Sequence, residues 1–486
     1  MLSDLYDLTR IGCGDLRVNT LLRVQDLSGA IPDFTMLKPL QSPKLMDNGS
    51  IVYIPHSMFF DQEEVYLPVL ERFDILNGGG NAVIFKGRRS IYIPDYEAGD
   101  SSRAIDGNLN FKRVSEGHEI CIKSSAVQLH GKEARATPNT RSLYFSDTIQ
   151  YLIHEAVLHG LIQKALTRAG FPNAVPILYE IVALTHNGTI HQLINPKDIK
   201  EVWLTMEILK GTTADRFLHK RLVRVPTSFK RTPYQLVKEK QNELFILDMI
   251  FQLSCYLHIL QDTLRFNHRD MKIDNAFWRY HPNREKWKKN ILVENVGTWK
   301  CQDDFVLIDF GFGCISECEL CGPVRFQTLL SACSSFDGDA RCMKYGRDMA
   351  QFLFALHCKF PLQEYISTEL FEILMDVTEA VETNSDSKAE TRHNLLLGFD
   401  HNGKTYTFGK KPTSKDKPVF NEFIYAYLEK PEVEVPGCRP ITLLQTLGKY
   451  AKRYTDSFIP LPQTALFNAC CGGQSIDVID PSTRSD

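Results

Sequence analysis

The chain has 486 residues, of which 24% are charged and 43% are hydrophobic. This length is sufficient to bury a sizeable core in more than one compact unit. The formal net charge of −3 at pH 7 gives no basic footprint, so nucleic acid is not an expected partner.

The N-terminus carries acids where a secretory signal would carry basic residues, and no apolar stretch is expected to span a membrane. We therefore expect a cytoplasmic or nuclear protein with no membrane partner. Thirteen cysteines in such a compartment are expected to be reduced thiols. Residues 1–70, which prolines interrupt, are predicted to be an N-terminal extension.

Three consecutive glycines precede a β-branched run in residues 76–85, L-N-G-G-G-N-A-V-I-F. Gly78 and Gly80 have the G-x-G spacing of a loop whose backbone N–H groups approach phosphates, although a frame shifted by one residue fits as well. A flexible hairpin turn is the alternative. Residues 88–117, rich in turn formers, are predicted to be an inserted surface excursion.

A strand ending in a lysine is predicted at residues 119–123, E-I-C-I-K. An amphipathic helix is predicted to begin at Asp147, as its N-cap, and to end at Gly170. Glu155 lies inside this helix and is the candidate ion-pair partner of Lys123 that the family resemblance named below implies. A glutamate on a solvated helix face is the alternative.

Further along the chain, residues 202–209, V-W-L-T-M-E-I-L, predict a short strand followed by a turn. The long apolar segment 242–266 predicts a buried helix. Another helix is predicted to follow Y-G-R-D at residues 345–348. Within a later helical region, residues 399–407 predict a hairpin that turns at Asn-Gly.

Two segments carry the strongest chemical signal. Residues 267–275 read N-H-R-D-M-K-I-D-N, and residues 307–311 read L-I-D-F-G. They match the phosphoryl-transfer motifs H-R-D-x-x-x-x-N and D-F-G at every fixed position and in this order, so chance explains them poorly. On these motifs the sequence resembles the eukaryotic-type protein kinases over residues 73–454. It is similar to the divergent kinases of large DNA viruses and to haspin-like kinases.

The resemblance implies an α+β, bilobal protein-kinase-like fold. A small, β-rich N-lobe with one key helix is expected at residues 71–209, and a large, mainly helical C-lobe at residues 210–455. An insertion rich in charge and tryptophan is expected around residues 278–302, and a C-terminal tail at residues 456–486.

ATP and Mg²⁺ are the cofactors that the resemblance implies. Asp270 would orient the attacking hydroxyl and accept its proton, and Lys272 would contact the γ-phosphate. Asn275 would bind one Mg²⁺, and Asp309 would bind the Mg²⁺ that bridges the β- and γ-phosphates.

The resemblance also implies a set of nucleotide-binding residues. They are Gly78, Gly80, Lys123, Glu155, Glu207, Leu209 and Phe277. Glu207 and Leu209 would form the hinge whose backbone bonds adenine. Phe277 would lie beneath the adenine ring, a role compatible with ordinary core packing.

Two residues are expected to support the catalytic loop. Asp348 would anchor its backbone, although an aspartate stabilised by the dipole of a helix N-terminus explains Asp348 about as well. Arg269 would meet either a phosphate or a fixed acid of the segment after Asp309, and the acids Glu317, Glu319, Asp337 and Asp339 favour constitutive activity. That segment lacks the usual A-P-E triplet. Its C-x-x-C pair at residues 318–321 is half of a zinc site, and reduced, unliganded thiols are the preferred interpretation.

The leading functional hypothesis is a Ser/Thr protein kinase that transfers the γ-phosphate of Mg-ATP to a protein hydroxyl, because the D-x-K spacing of Asp270 and Lys272 resembles the Ser/Thr type. Such an enzyme would act in the cytoplasm or nucleus, or in a host cell or virion if viral. The alternatives are a small-molecule phosphotransferase on a kinase-like fold and a pseudokinase scaffold. A pseudokinase would lack Lys123, Asp270 or Asp309, and the chain lacks none of them.

Overall fold

The computed structural model describes a large part of the chain, together with a few shorter strands. The described ranges are residues 64–78, 82–94, 111–113, 117–124, 145–185, 199–225, 232–283, 287–315, 343–383, 388–401, 404–407 and 427–461. The chain divides into two compact units. Unit 1 comprises Met1–Lys164, Pro176–Leu209 and Glu319–Ser334, and unit 2 comprises Ala165–Val175, Lys210–Cys318 and Ser335–Asp486.

The described elements are mixed α and β. The strands are β1 (Lys38–Leu40), β2 (Lys44–Leu45), β3 (Ile51–Tyr53), β4 (Phe59–Asp61), β5 (Glu64–Gly78), β6 (Val83–Pro94), β7 (Phe111–Arg113), β8 (His118–Ser124), β9 (Leu178–Thr185), β10 (Ile199–Glu207), β11 (Gly211–Thr213), β12 (Phe266–Asn267), β13 (Ala276–Arg279), β14 (Asn290–Val293), β15 (Gly297–Lys300), β16 (Asp304–Leu307), β17 (Cys314–Ile315), β18 (Phe326–Gln327), β19 (Glu379–Thr383), β20 (Glu390–Asn394), β21 (Gly398–His401), β22 (Lys404–Thr407), β23 (Val433–Glu434) and β24 (Phe458–Pro460). The helices are α1 (Phe145–Arg168), α2 (Ala214–Arg221), α3 (Pro233–Leu264), α4 (Arg347–Lys359), α5 (Thr368–Val377) and α6 (Pro440–Ala451). The coarse α+β character predicted from the sequence agrees with these elements.

Unit 1 is built on one sheet with the strand order β1-β9-β10-β8-β6-β5-β3-β2, to which β4 and β7 add at β5 and β6. Strand β8 lies near its centre and pairs antiparallel with β6 and β10. Successive strand residues point to opposite faces. Ile120 and Ile122 are therefore buried on one face, in a core with Leu70, Phe85 and Trp203. Lys123 points to the other face.

Several boundaries in unit 1 differ from those predicted from the sequence. The boundary at residue 70 falls inside β5, and the first part of the predicted 88–117 insertion continues β6, with which β7 pairs. Helix α1 begins at Phe145, so Asp147 lies in its first turn and is not its N-cap. The predicted end is confirmed, because Gly170 has φ +85° and its N–H returns to Thr167 O at 3.0 Å.

Helix α3 is the central helix of unit 2 and packs against α6 and β16. It starts earlier than predicted, at a capping box in which Thr232 and Gln235 bond each other's backbone N–H and Pro233 takes the first helical position. It ends at Arg265, a left-handed residue with φ 49°.

Helix α3 also corrects the expectation about apolar stretches. By length and composition it could cross a membrane, and 78% of its most apolar window is buried inside the protein. The prediction that no stretch reaches this length is therefore wrong. Since the core helix of a globular unit passes the same test, this finding is weak evidence for a membrane span.

The predicted insertion around residues 278–302 contains the hairpin β14–β15, although its first residues still belong to β13. Asp248 of α3 anchors this hairpin. Its carboxylate accepts bonds from Trp299 Nε1 at 2.8 Å, Gln302 N at 3.0 Å and Asp303 N at 2.7 Å. Burial raises the pKa of Asp248 to about 7, against the effect of these donors. The insertion is thus packed onto the core of unit 2.

Strand β24 adds to the same hairpin, next to β15. It lies inside the predicted 456–486 tail, so residues 458–460 of that segment form a strand of unit 2. The approach is close at Gly297, where φ is +156° and a Cβ would meet Ile459 O at 2.4 Å. Glycine is required here because any side chain would collide with that carbonyl.

Candidate active site

The Lys123–Glu155 pair forms the polar centre of unit 1. Lys123 Nζ donates to both carboxylate oxygens of Glu155, at 2.6 and 2.8 Å. Lys123 is 8% exposed and Glu155 3%. The predicted pairing is therefore confirmed, and the alternative of a solvated surface glutamate is wrong. Strand β8 supplies the lysine and helix α1 supplies the glutamate. The alternation of the strand and the period of the helix direct both side chains away from water.

His159 lies one helical turn after Glu155 and is 3% exposed. Its Nε2–H donates to Pro176 O at 2.7 Å. Burial lowers the pKa of His159 to about 4, and the neighbouring Lys123 ammonium acts in the same direction. His159 is therefore a neutral donor that ties α1 to the start of β9, and nothing in its position requires it to be a reacting group.

The lowered pKa of His159 predicts that the folded protein becomes less stable in acid. Between pH 6.5 and about 4 an unfolded imidazole takes up a proton that folded His159 refuses. Its contribution to the free energy of unfolding is complete above pH 6.5 and lost as the pH falls towards 4, on the order of 3 kcal/mol. His357 in unit 2 has a similarly lowered pKa. Urea unfolding of His159→Gln, which keeps an N–H donor, should therefore show a shallower pH dependence than wild type, and identical slopes would contradict it.

The predicted hinge residues lie at and just after the end of β10, of which Glu207 is the last residue. Glu207 N–H donates to Ile177 O at 2.7 Å, and its carboxylate accepts from Ile177 N at 3.3 Å. Glu207 is therefore held by Ile177 through both its backbone amide and its carboxylate. Leu209 lies two residues after the strand, and among the described residues its backbone N–H has no backbone partner.

Of the glycines, Gly78 is the last residue of β5, and it pairs with Val83, the first residue of β6. The antiparallel pairing of β5 with β6 is compatible with both interpretations of the segment, a phosphate-binding loop and a hairpin turn. Gly80 lies outside the described residues.

Asp270 is the centre of the site in unit 2. It is 3% exposed, and its Oδ2 accepts from Lys272 Nζ at 2.7 Å and from Asn275 Nδ2 at 2.9 Å. Asn275 Nδ2 also donates to the carbonyl of Asp270 at 2.8 Å. The three residues that the sequence assigns to catalysis are therefore brought together on one short loop. The carboxylate is fixed in orientation by two donors from its own loop.

Asn275 and Asp309 lie at the same end of a strand pair. Asn275 directly precedes β13 and Asp309 follows β16, and these strands pair antiparallel with Ala276 opposite Leu307. Ile308 N donates to Asn275 O at 3.1 Å, which closes that end. Asp309 is an exposed carboxylate with φ 64°. The positive φ is rare for a non-glycine residue and indicates that the surrounding structure holds the turn.

This end of the strand pair fits a magnesium site completed by a substrate. No group of three or more His, Cys, Asp or Glu side chains suited to a metal occurs among the described residues. Mg²⁺ usually needs only one or two carboxylates when phosphates supply the rest. The Asn275 amide faces Asp270 with its nitrogen, which leaves Oδ1 as the atom for a cation. Phe277 follows in β13 and is half-buried opposite Thr213 and Val306.

The backbone of the Asp270 loop is held by α4. Asp348 is fully buried and accepts from His268 N at 2.8 Å and Arg269 N at 2.9 Å. Gln351, one turn later, accepts from Met271 N at 3.2 Å. The prediction that Asp348 anchors this backbone is confirmed. A residue that served only to complement a helix dipole would not need these bonds.

The two motifs are also joined directly. His268 Nε2–H donates to Ile308 O at 3.1 Å, and the rings of His268 and Phe310 are 5.4 Å apart. Phe310 is buried. These contacts fix the segment that carries Asp309 relative to the loop that carries Asp270.

Arg269 has a partner that sequence reasoning missed. Its Nη2 lies 3.1 Å from Oε2 of Glu429, 160 positions later in the chain. The acids expected to meet it, Glu317, Glu319, Asp337 and Asp339, lie outside the described residues. No local pattern distinguishes Glu429 from the neighbouring Glu432 and Glu434.

Cysteine chemistry departs from expectation at one position. Cys314 is disulfide-bonded, and its partner lies outside the described residues. The expectation of reduced thiols throughout is therefore wrong at this residue. The expectation of reduced thiols agrees with the free cysteines at Cys121, Cys255, Cys301, Cys358 and Cys438. The C-x-x-C pair itself lies outside the described residues.

Comparison of the whole chain with protein-family models gives no match, and comparison with curated proteins gives no significant match either.

Proposed function

We propose that the chain is a Ser/Thr-type protein kinase with a bilobal, protein-kinase-like fold, which transfers the γ-phosphate of ATP to a protein hydroxyl. The observation that carries the proposal is the arrangement at Asp270. A buried carboxylate with one face fixed by Lys272 and Asn275, on a loop anchored by Asp348, is suited to orient a hydroxyl and accept its proton.

The Lys123–Glu155 pair gives independent support. A buried ion pair contributes little net stability compared with apolar side chains of similar size, because both charges lose their hydration. A lysine held in place by a carboxylate offers a fixed positive charge for a phosphate group.

ATP and Mg²⁺ fit the residues present. Bound Mg-ATP would supply the phosphoryl donor and neutralise the charge on its β- and γ-phosphates. Asn275 and Asp309 would hold the metal. Lys272, whose ammonium is partly exposed beside Asp270, would offset the negative charge near the transferred group.

A labelled-transfer assay tests the function. The full-length protein is incubated with γ-labelled ATP and Mg²⁺, with a peptide library carrying Ser, Thr or Tyr in parallel with a panel of small alcohols. We expect label on Ser and Thr peptides. Label on small alcohols alone would show a small-molecule phosphotransferase, and no transfer to any acceptor would contradict the proposal.

The same assay includes a matched pair of variants on the metal residues. Asp309→Asn should abolish Mg²⁺-dependent nucleotide binding and transfer, because the cation loses its carboxylate. Asp274→Asn is the control, since Asp274 is an exposed aspartate of the same loop whose contact is with Lys359. Unchanged Mg-ATP affinity in Asp309→Asn would exclude Asp309 as a ligand.

A further inference from the structure

Arg269 is an unusual residue by its backbone and by its burial. It directly precedes Asp270, has φ 63° and is 2% exposed. A non-glycine residue keeps a left-handed backbone only where its surroundings enforce it. The geometry of Asp270 therefore depends on what holds Arg269.

One carboxylate faces two buried guanidinium groups. Glu429 contacts Arg269 Nη2 at 3.1 Å and accepts from Arg347 Nε at 2.8 Å. Both arginines are 2% exposed. Since buried charges need partners, loss of this carboxylate would leave excess positive charge in the interior.

The contacts of Arg347 lead back to the loop. Its Nη1 donates to Gln351 Oε1 at 2.9 Å and lies 3.3 Å from Asp348 Oδ1. These are the same two side chains that bond the backbone N–H groups on either side of Asp270. Glu429 thus reaches the loop by two routes, directly through Arg269 and indirectly through Arg347.

The turn that carries Glu429 is held independently of its side chain. Lys344 Nζ donates to Leu428 O at 2.7 Å and to Lys430 O at 2.6 Å, on either side of Glu429. The backbone of Lys344 is in turn bonded by Asn267, at 2.6 and 3.1 Å. The turn should therefore stay in place when the Glu429 carboxylate is removed.

We propose that Glu429 is a positioning residue for Asp270, and that its fixed negative charge holds Arg269 so that the loop needs no added phosphate. This inference rests on the proposed function for its catalytic consequence. It assigns to a residue late in the chain the task that an acid or a phosphate after Asp309 was expected to perform. The protein is accordingly active without phosphorylation of the segment after Asp309.

Three variants of the full-length protein test the proposal. Glu429→Gln removes the charge at nearly constant shape, Glu429→Asp keeps the charge, and Glu434→Gln is the control. Glu434 is exposed on the same segment, and its contact is with Arg439 at 3.6 Å. We expect Glu429→Gln to lower kcat about 10–100-fold with an unchanged KM for ATP, because small displacements of a reacting group cost about that much. Glu429→Asp should recover part of this loss.

Hydrogen exchange separates this proposal from the proposed function. In Glu429→Gln the amides of residues 268–271 should exchange about tenfold faster or more, with those of β8 unchanged, whether or not the chain is a kinase. Unchanged exchange would overturn the positioning role. If Glu429→Gln shows the faster exchange while the wild-type protein transfers no phosphate, the positioning role stands and the proposed function is removed.

Phosphatase treatment tests the consequence for regulation. The treated wild-type protein should keep its rate, because Glu429 already supplies the negative charge. A fall of the treated enzyme to the rate of Glu429→Gln would overturn the proposal, since it would show that a phosphate holds Arg269.

Discussion

Replacement of Asp270 by asparagine is expected to lower kcat for phosphoryl transfer by about 10²–10⁴ and to leave the affinity for Mg-ATP nearly unchanged. Under the proposed function the carboxylate would accept the hydroxyl proton as the reaction proceeds, and an amide cannot accept it. Steady-state kinetics with a Ser peptide and titration with a fluorescent nucleotide measure the two quantities separately.

The fold should survive this substitution. Lys272 and Asn275 both donate to Oδ2 of Asp270, and the amide oxygen of an asparagine can accept from both in its place. Asp274→Asn on the same loop is the control for a general effect of lost charge. Wild-type turnover by Asp270→Asn would exclude Asp270 as the proton acceptor.

Replacement of Lys123 by methionine is expected to lower the free energy of unfolding by about 3–5 kcal/mol, because the buried Glu155 carboxylate loses the ammonium that bonds both its oxygens. Methionine fills a similar volume, so the loss arises from charge and not from a cavity. Urea unfolding at pH 7, followed by hydrogen exchange in β8 and α1, measures it.

The double variant Lys123→Met/Glu155→Leu is the matched control. It removes both charges and should unfold at nearly the wild-type urea concentration or above it. It should nevertheless bind ATP much more weakly, which separates the stability of unit 1 from its proposed function. A single Lys123→Met variant as stable as wild type would contradict the account of the pair.

Local sequence predicted those parts of the site that have a period or a motif. The strand with Lys123 alternates, the helix with Glu155 repeats every three to four residues, and the Asp270 loop matches a fixed pattern. Each pattern places a side chain on a known element and face. The pairing of Lys123 with Glu155 across 32 positions was foreseen from the family resemblance, and the local periods placed the two residues on their strand and helix.

The start of α3 was marked by a local sequence pattern that the prediction missed, whereas two carboxylates had no local pattern to mark them. The Thr-Pro-x-Gln stretch at residues 232–235 marks the true start of α3, and it was readable as a capping box with proline at the first position. Glu429 and Asp248 lacked any such mark. Their partners are distant in sequence, and only the packed fold brings these groups together.

Strand β24 has a consequence for how unit 2 is made. It completes a sheet with β15, whose residues are synthesised about 160 positions earlier, and Gly297 is shaped to receive it. During synthesis the hairpin therefore presents an open edge until Phe458–Pro460 has emerged. Such long-range closure slows folding, and an open edge is a site for pairing with other chains. A nascent chain of this protein is most exposed to aggregation in the interval between those two strands.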